Sequence, residues 1–335
     1  MSKDIKTDSY TLLLGDCLER MKEIPDGSID AVISDIPYGI DFDTWDITHN
    51  NTNSALLGKS PKNVESKLFK TRGKPLNGWS EADKERTVQF QQWCSTWLKE
   101  IYRVLKPCSP LLIMCGRQNQ HRFTCAAEDS GFIFKDVLTW NKGKAPFRAQ
   151  KVSNIYAQRG LDIDYEGDWR LGNLSPYCEP IVYMFKPYKV GTTVTDQFIE
   201  NKLGCFNADI LTKNLIEITS LSKNVNHPTE KPVTLMETLI QLVTNEGATV
   251  LDPFLGSGTT GVAALNTNRK FIGVEMEEKY FDIGASRMEG VWVKFKLTYI
   301  VIPIATILTV CKNRFNSLKE LLVWSLILNL INFSQ

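Results

Sequence analysis

The chain has almost no net charge and few of the residues that mark a metal centre. Lys and Arg total 39 against 38 Asp and Glu, a formal charge of +1. So balanced a chain has no overall field to attract a polyanion, and any nucleic-acid contact must come from local basic patches. Histidine is scarce, with three in 335 residues. The cysteines, at positions 17, 94, 108, 115, 125, 178, 205 and 311, form no Cys-x-x-Cys pair and do not cluster with His49, His121 or His227. A zinc site needs several such ligands close together, so scattered reduced thiols and no metal are expected. The first ten residues carry charges and no apolar core, which excludes a signal peptide and points to the cytoplasm.

What is present is the composition of a folded protein, 43% hydrophobic and 23% charged. The length suits one large core plus an accessory lobe. Apolar runs at Tyr10–Leu14, Ile29–Ser34, Leu111–Cys115, Phe132–Trp140, Ile181–Phe185, Thr249–Leu251 and Phe271–Val274 read as strands. Helical patterns fall at Gln118–Asp129, Pro232–Asn245, Thr259–Leu265 and Glu277–Met288. Ser80, followed by Glu81 and Asp83, reads as the cap of a further helix to about Leu105, with Val88, Trp93, Trp97, Ile101, Val104 and Leu105 on its apolar face. Strands alternating with helices imply an α/β fold with a mostly parallel sheet covered on both faces. Asp41–Trp79 is polar and weakly periodic, a long loop or insertion.

Two motifs carry chemistry. In Val250-Leu251-Asp252-Pro253-Phe254-Leu255-Gly256-Ser257-Gly258-Thr259 a strand ends in an acid, a glycine turn follows and a helix begins. Such a turn lets backbone approach a ligand and offers it the free N–H groups of the helix. Gly256, Gly258 and Gly261 also satisfy G-x-G-x-x-G, which alone would permit a dinucleotide. Asp252 argues otherwise, because a carboxylate there repels a pyrophosphate and welcomes an ammonium. Glu275, at the end of the next strand, is placed for ribose hydroxyls. No Lys follows the glycines, which excludes a P-loop. The second motif, Asp35-Ile36-Pro37-Tyr38, ends another strand. The Asp35 carboxylate and the Ile36 carbonyl could both accept hydrogens from an aromatic amine, Pro37 stiffens the turn, and Tyr38 offers a face for stacking.

Asp35-Ile-Pro-Tyr38 followed by Asp252-Pro-Phe-Leu-Gly-Ser-Gly258 resembles the DNA methyltransferases that modify exocyclic amino groups, in their β-type motif order. His227-Pro-Thr-Glu-Lys-Pro232, Gly15-Asp16-Cys17, Tyr102-Arg-Val-Leu-Lys-Pro107 and Trp140-Asn-Lys142 extend the match over Tyr10–Met288. The resemblance implies a Rossmann-like sheet with circularly permuted motifs and S-adenosylmethionine as cofactor. It further implies that Asp16 and Cys17 lie at the cofactor's adenine and Thr229 and Lys231 near its methionine end. Phe254, Gly256, Gly258 and Thr259 complete the cofactor set, and double-stranded DNA is the partner. Ile36 departs from the usual Pro, in a place where a backbone carbonyl acts. A tetrapeptide beginning with Asp favours adenine N6 over cytosine N4, although Ser34 precedes it.

DNA contacts are expected from Lys142, Lys144, Arg148, Lys151 and Arg159, since Asn141–Gly160 contains no acid. Trp79, Phe147 and Tyr156 are candidates for stacking or wedging. The expected division is a catalytic half over 1–140 with the insertion at 41–79, a target-recognition region over 141–226, a cofactor half over 227–290 and an apolar tail over 291–335. In the tail, Leu297–Cys311 and Leu321–Phe333 are each shorter than a membrane span of roughly 20 residues. A frame-shifted extension is favoured there over a membrane anchor or an apolar interaction segment. A homodimer and a cognate restriction nuclease remain open as partners. The rival readings are cytosine-N4 methylation, an inactive cofactor-binding relic that still binds DNA, and an NAD-dependent oxidoreductase.

Overall fold

A computed structural model describes residues 3–38, 54–55, 74–75, 81–147, 149–163, 166–219 and 230–291. The chain divides into a unit over Met1–Met288 and a second over Glu289–Gln335. Most of the Asp41–Trp79 insertion, the Ser80 cap, Trp79, Arg148, Thr229, His227 and the tail from 292 lie outside the described residues.

The strands are β1 (Ile5–Lys6), β2 (Tyr10–Leu14), β3 (Ala31–Asp35), β4 (Ser54–Ala55), β5 (Lys74–Pro75), β6 (Pro110–Met114), β7 (Ile133–Asn141), β8 (Gln150–Lys151), β9 (Arg170–Leu171), β10 (Cys178–Phe185), β11 (Leu215–Glu217), β12 (Thr249–Asp252) and β13 (Lys270–Glu275). Nine form one sheet in the order β1-β2-β13-β12-β3-β6-β10-β7-β11, and β4-β5 and β8-β9 are separate pairs. From β2 through β6 every neighbour is parallel. The helices are α1 (Cys17–Met21), α2 (Glu81–Val104), α3 (Gln120–Asp129), α4 (Val152–Gln158), α5 (Val194–Asn201), α6 (Val233–Val243) and α7 (Thr259–Asn266). Residues 278–291 are also helical.

Parallel strands need crossovers, and their helices cover the sheet. Helices α1, α2 and α3 pack together around a core of Val32, Ile36, Trp97, Leu98, Ile101, Phe123 and Ile113. Helices α6 and α7 pack against each other, and α6 also meets β3. Because side chains alternate along a strand, Val32 joins the first cluster while its neighbour Ile33, equally buried, turns away from it.

Two expectations need correction. Val88 is 43% exposed, and the buried positions of α2 are Phe90, Cys94, Trp97, Leu98, Ile101, Val104 and the following Leu105. The buried face therefore begins at Phe90 and Cys94 and excludes Val88. Among the described residues of 141–226, two segments also belong to the main sheet. Strand β10 lies inside the main sheet between β6 and β7, antiparallel to both, and β11 forms the sheet's far edge. The run Ile181–Met184 is buried on both faces, as a central strand requires.

Candidate functional site

The parallel strands carry their chemistry to one edge. Asp35 pairs in register with Met114, Asp252 with Gly273, and Glu275 with Leu14. The Gly15 N–H donates to the Glu275 carbonyl at 2.8 Å, so Asp16 and Cys17 begin where Glu275 ends. Asp16 caps α1 by accepting from the Leu18 N–H at 2.8 Å. Asp16, Glu275, Asp252 and Asp35 thus follow one another across the carboxyl ends of the sheet, where open α/β sheets bind ligands.

Strand alternation separates Ser34 from Asp35. The buried Ser34 hydroxyl donates to Asp252 Oδ1 at 2.6 Å. Asp35 instead faces the Tyr38 hydroxyl, which donates to its Oδ1 at 2.9 Å, and the Lys231 ammonium, which donates to its Oδ2. Burial pushes the Asp35 carboxyl above its usual range, and the Lys231 charge draws it back. The Ile36 side chain is core, and its N–H donates to the Met114 carbonyl at 3.2 Å. Tyr38 lies against Gly116, where an added Cβ would come within 3.3 Å of the ring. Asn119 Nδ2 holds the Tyr38 carbonyl at 2.8 Å.

Lys231 stands at the Asp35 carboxylate, a place its motif alone did not reveal. Its neighbour Glu230 pairs with Arg287 at 2.7 Å, and Arg287 donates to the Ser257 carbonyl at 2.7 Å. One short segment therefore braces both the Asp35 loop and the glycine turn. The buried Lys231 ammonium keeps its proton more tightly than usual; burial opposes this, but Asp35 and Glu179 outweigh it. Glu179, on β10, is a site residue that sequence reasoning missed. Lys142 Nζ donates to its Oε1 at 2.8 Å, while its Oε2 is buried with no hydrogen-bond partner among the described residues. Burial raises the Glu179 carboxyl, yet Lys231, Lys142 and Arg117 together hold it below its ordinary value. The available signal was an acid and a proline opening a run of buried apolar residues.

Around the glycine turn the structure redistributes the expected roles. Asp252 accepts from Ser34, from the Phe254 N–H at 3.0 Å and from the Thr260 hydroxyl at 2.6 Å. Three of its roughly four acceptor positions are taken internally, so it organises the turn as well as charging the edge. Burial, only partly offset by these donors, pushes its carboxyl up to about 6. Glu275 accepts from the Gly256 N–H at 2.7 Å and the Glu277 N–H at 2.9 Å, and the Met276 N–H also acts on it, so some acceptor capacity is left. Burial raises it as well. Gly258, at φ +78°, packs on the Cα of Gly284, and Gly261 packs on Met288 and Phe271. These two glycines serve helix packing, whereas an added Cβ on Gly256 would find no atom nearer than 3.9 Å. Thr259 is buried, its hydroxyl 3.3 Å from Ser257 Oγ. Phe254 joins an aromatic wall with Trp93 at 5.5 Å and Trp97 at 5.3 Å between ring centroids. Cys17 is a neutral thiol, pushed up to about 12 by burial and by Asp16.

The basic residues expected at DNA are brought together only in part. Lys142 is committed to Glu179 and largely covered, and Lys151 lies 3.5 Å from Asp168 while staying half-exposed. The acids that answer these lysines come from beyond Gly160, where the local reading did not look. Lys144 and Arg159 are exposed. Phe147 is exposed beneath the Arg170 guanidinium, 4.9 Å from the ring centroid, and Tyr156 is half-buried. Trp169 and Tyr177, which were not singled out, are exposed nearby in sequence. Among the described residues no His, Cys, Asp or Glu group could hold a metal ion, and no helix is long and apolar enough to cross a membrane.

The edge fits S-adenosylmethionine. A row of acids suits a cationic cofactor, Glu275 keeps acceptor capacity for hydroxyls, and the Gly256 turn leaves open space. A pyrophosphate would meet Asp252 and Glu275 at close range. A parallel-rich sheet with this acidic edge, flanked by an Asp-Ile-Pro-Tyr loop, defines an S-adenosylmethionine-dependent methyltransferase that acts on a base amine. The family model described as DNA methylase matches residues 29–286, and the chain belongs to that family of DNA amino-methyltransferases. It is 46% identical over 287 residues to the type II methyltransferase M.HindIII of Haemophilus influenzae, covering 82% of this chain and 93% of that protein. The DNA adenine methyltransferase YhdJ of Escherichia coli K12 is 26% identical over 302 residues, covering 84% and 83%. The crystal structure of an M1.HpyAVI–SAM complex superposes with a TM-score of 0.51 at 22% identity, covering 83% of this chain and 98% of that one. That likeness extends to the fold. The chain is a site-specific DNA methyltransferase that uses S-adenosylmethionine.

Proposed function

We propose that the chain methylates adenine N6 in a short site of double-stranded DNA, with Asp35 as the acceptor that draws on the amino hydrogens. The observation that carries this is the first residue of the tetrapeptide: Asp35 faces the loop while Ser34 is turned away to Asp252. The similarity to YhdJ, a DNA adenine methyltransferase, supports the choice of adenine.

S-adenosylmethionine, when bound, supplies an electrophilic methyl group on a sulfonium. Asp16, Glu275 and the Gly256 turn would hold it, with Asp252 fixing that turn and lending its charge. Phe254 and Trp93 would wall the site against water. The target base, extruded from the duplex, stacks on Tyr38 and donates its amino hydrogens to Asp35 and the Ile36 carbonyl. Those acceptors hold the nitrogen lone pair out of the ring's π system, so that rate enhancement comes chiefly from alignment and electrostatics. Asp35 is also the nearest acceptor for the proton released from the amine. Lys144 and Arg159, with Lys151 and Arg148, bind phosphates, and the region from Asn141 contributes base contacts. The enzyme works in the cytoplasm. A second copy of the chain and a cognate restriction nuclease are the partners this reading admits, and neither enters the chemistry.

Asp35→Ala is expected to abolish methylation while cofactor binding stays within a few-fold of the parent. Near-normal turnover in that variant sinks the assignment. Expression in a methylation-free host, followed by sequencing of its genomic DNA for modified bases, decides the target. Modified adenine in one short motif supports the reading, and modified cytosine replaces it with the N4 reaction.

A further inference from the structure

The carboxylate that must receive the base is already occupied. Tyr38 holds Asp35 Oδ1 at 2.9 Å, and Lys231 holds Oδ2. Lys231 also lies over the Tyr38 ring, 5.5 Å from its centroid, on the side chain proposed to stack with the base. An incoming amino group therefore meets an ammonium where it needs an acceptor. A buried ammonium displaced from its partner is costly unless a second anion receives it.

The structure holds such an anion. Glu179 lies on β10 two residues from Ile181, which pairs with Met114, itself the register partner of Asp35. Its Oε1 is fixed by Lys142 at 2.8 Å, and its Oε2 is buried without a partner among the described residues. Buried carboxylate oxygens are rarely left so, because each unmet acceptor costs about 1–3 kcal/mol. The Lys231 charge stabilises ionised Glu179, while the ammonium donates to Asp35.

We propose that Glu179 is a positioning residue that receives the Lys231 ammonium when the target base enters. The Lys231 Nζ–Asp35 contact opens, an Nζ–Glu179 Oε2 contact forms, and Asp35 Oδ2 turns to the base amino group. Lys231 keeps its proton throughout, so the exchange moves one charge between two anions and creates none. Lys142 holds Glu179 in place, which gives that lysine a role apart from phosphate binding. The inference rests on Asp35 being the acceptor.

Two measurements test it. The first is single-turnover methylation of genomic DNA from a methylation-free strain, using tritiated S-adenosylmethionine. Glu179→Gln should lower the rate on the order of tenfold or more, with cofactor and DNA dissociation constants within about twofold. A rate within about twofold of the parent overturns the proposal. Should Glu179→Gln unfold, Glu179→Asp is measured; it keeps the charge one methylene further back and should show a smaller loss in the same step. The second is a crystal structure with target duplex and the unreactive analogue sinefungin. Lys231 Nζ on Glu179 Oε2 supports the exchange, and Lys231 still on Asp35, or on neither, overturns it. Asp35→Ala separates the two ideas. An active Asp35→Ala enzyme defeats the acceptor assignment, whereas an inactive one beside an unaffected Glu179→Gln defeats the exchange alone.

Discussion

Asp252 gives the fold a pH dependence that can be isolated by one substitution. Its carboxyl is nearly inaccessible and is raised from 3.8 to about 6, burial outweighing the Ser34, Thr260 and Phe254 donors. A group with a raised folded value binds its proton more tightly in the native state. Its stabilising effect is complete below the unfolded value and is lost as pH rises through the folded one. A shift of about two units corresponds to roughly 3 kcal/mol in total, of which about half accrues between pH 5 and pH 8. Asp252→Asn removes the titration and keeps most of the network. The remaining oxygen can accept from Ser34 and the Phe254 N–H, and the new amide can donate to the Thr260 hydroxyl. Urea unfolding at pH 5 and pH 8 should show the parent losing about 1.4 kcal/mol more than the variant across that interval. Asp35 and Glu275, also raised, act in the same direction in both proteins and largely cancel in the difference, apart from the small part of the Glu275 shift that comes from the Asp252 charge. Parallel pH profiles for parent and variant would refute the reasoning.

The turn glycines should separate by phenotype. Gly258→Ala places a Cβ 2.8 Å from backbone at Gly284 on a residue at φ +78°, so urea titration should show a loss of about 3 kcal/mol. Gly256→Ala, at φ +53° but in open space, should cost about 1 kcal/mol while weakening S-adenosylmethionine binding by calorimetry on the order of tenfold. Equal effects on stability would show that the packing difference is unimportant. Trp97→Ala, at a fully buried position, should cost about 3–5 kcal/mol. Trp97→Phe should cost under about 2 kcal/mol, because it removes a buried indole N–H that has no acceptor among the described residues; equal melting temperatures for the two would contradict this.

The glycine turn also shows why spacing is an incomplete guide to role. Gly256, Gly258 and Gly261 read in sequence as one ligand cradle. In the fold they divide, because helix α7 must approach the helix over 278–291 closely enough for Gly258 to meet Gly284 and Gly261 to meet Met288. Only Gly256 faces open space. Similarly, the acid-free stretch around Lys142 and Lys151 is basic only along the chain. Glu179 and Asp168 come from later segments to answer it.

The amino-acid sequence by itself determined the class of chemistry. Asp35, Asp252 and Glu275 end apolar runs, and a run that ends in an acid places that acid at a strand's carboxyl end whatever the rest of the fold does. The motif order and the strand–helix alternation follow from local hydrophobic pattern and turn chemistry, both short-range. Tertiary structure alone decided which charges meet. It threaded β10 between β6 and β7, and thereby brought Glu179 into the neighbourhood of Lys231 and Asp35, residues 52 and 144 positions away in the chain. It also set the Lys231 ammonium on Asp35. Such pairings depend on strand order and register, which are fixed by burial of the whole sheet and leave no mark in the spacing of the residues they join.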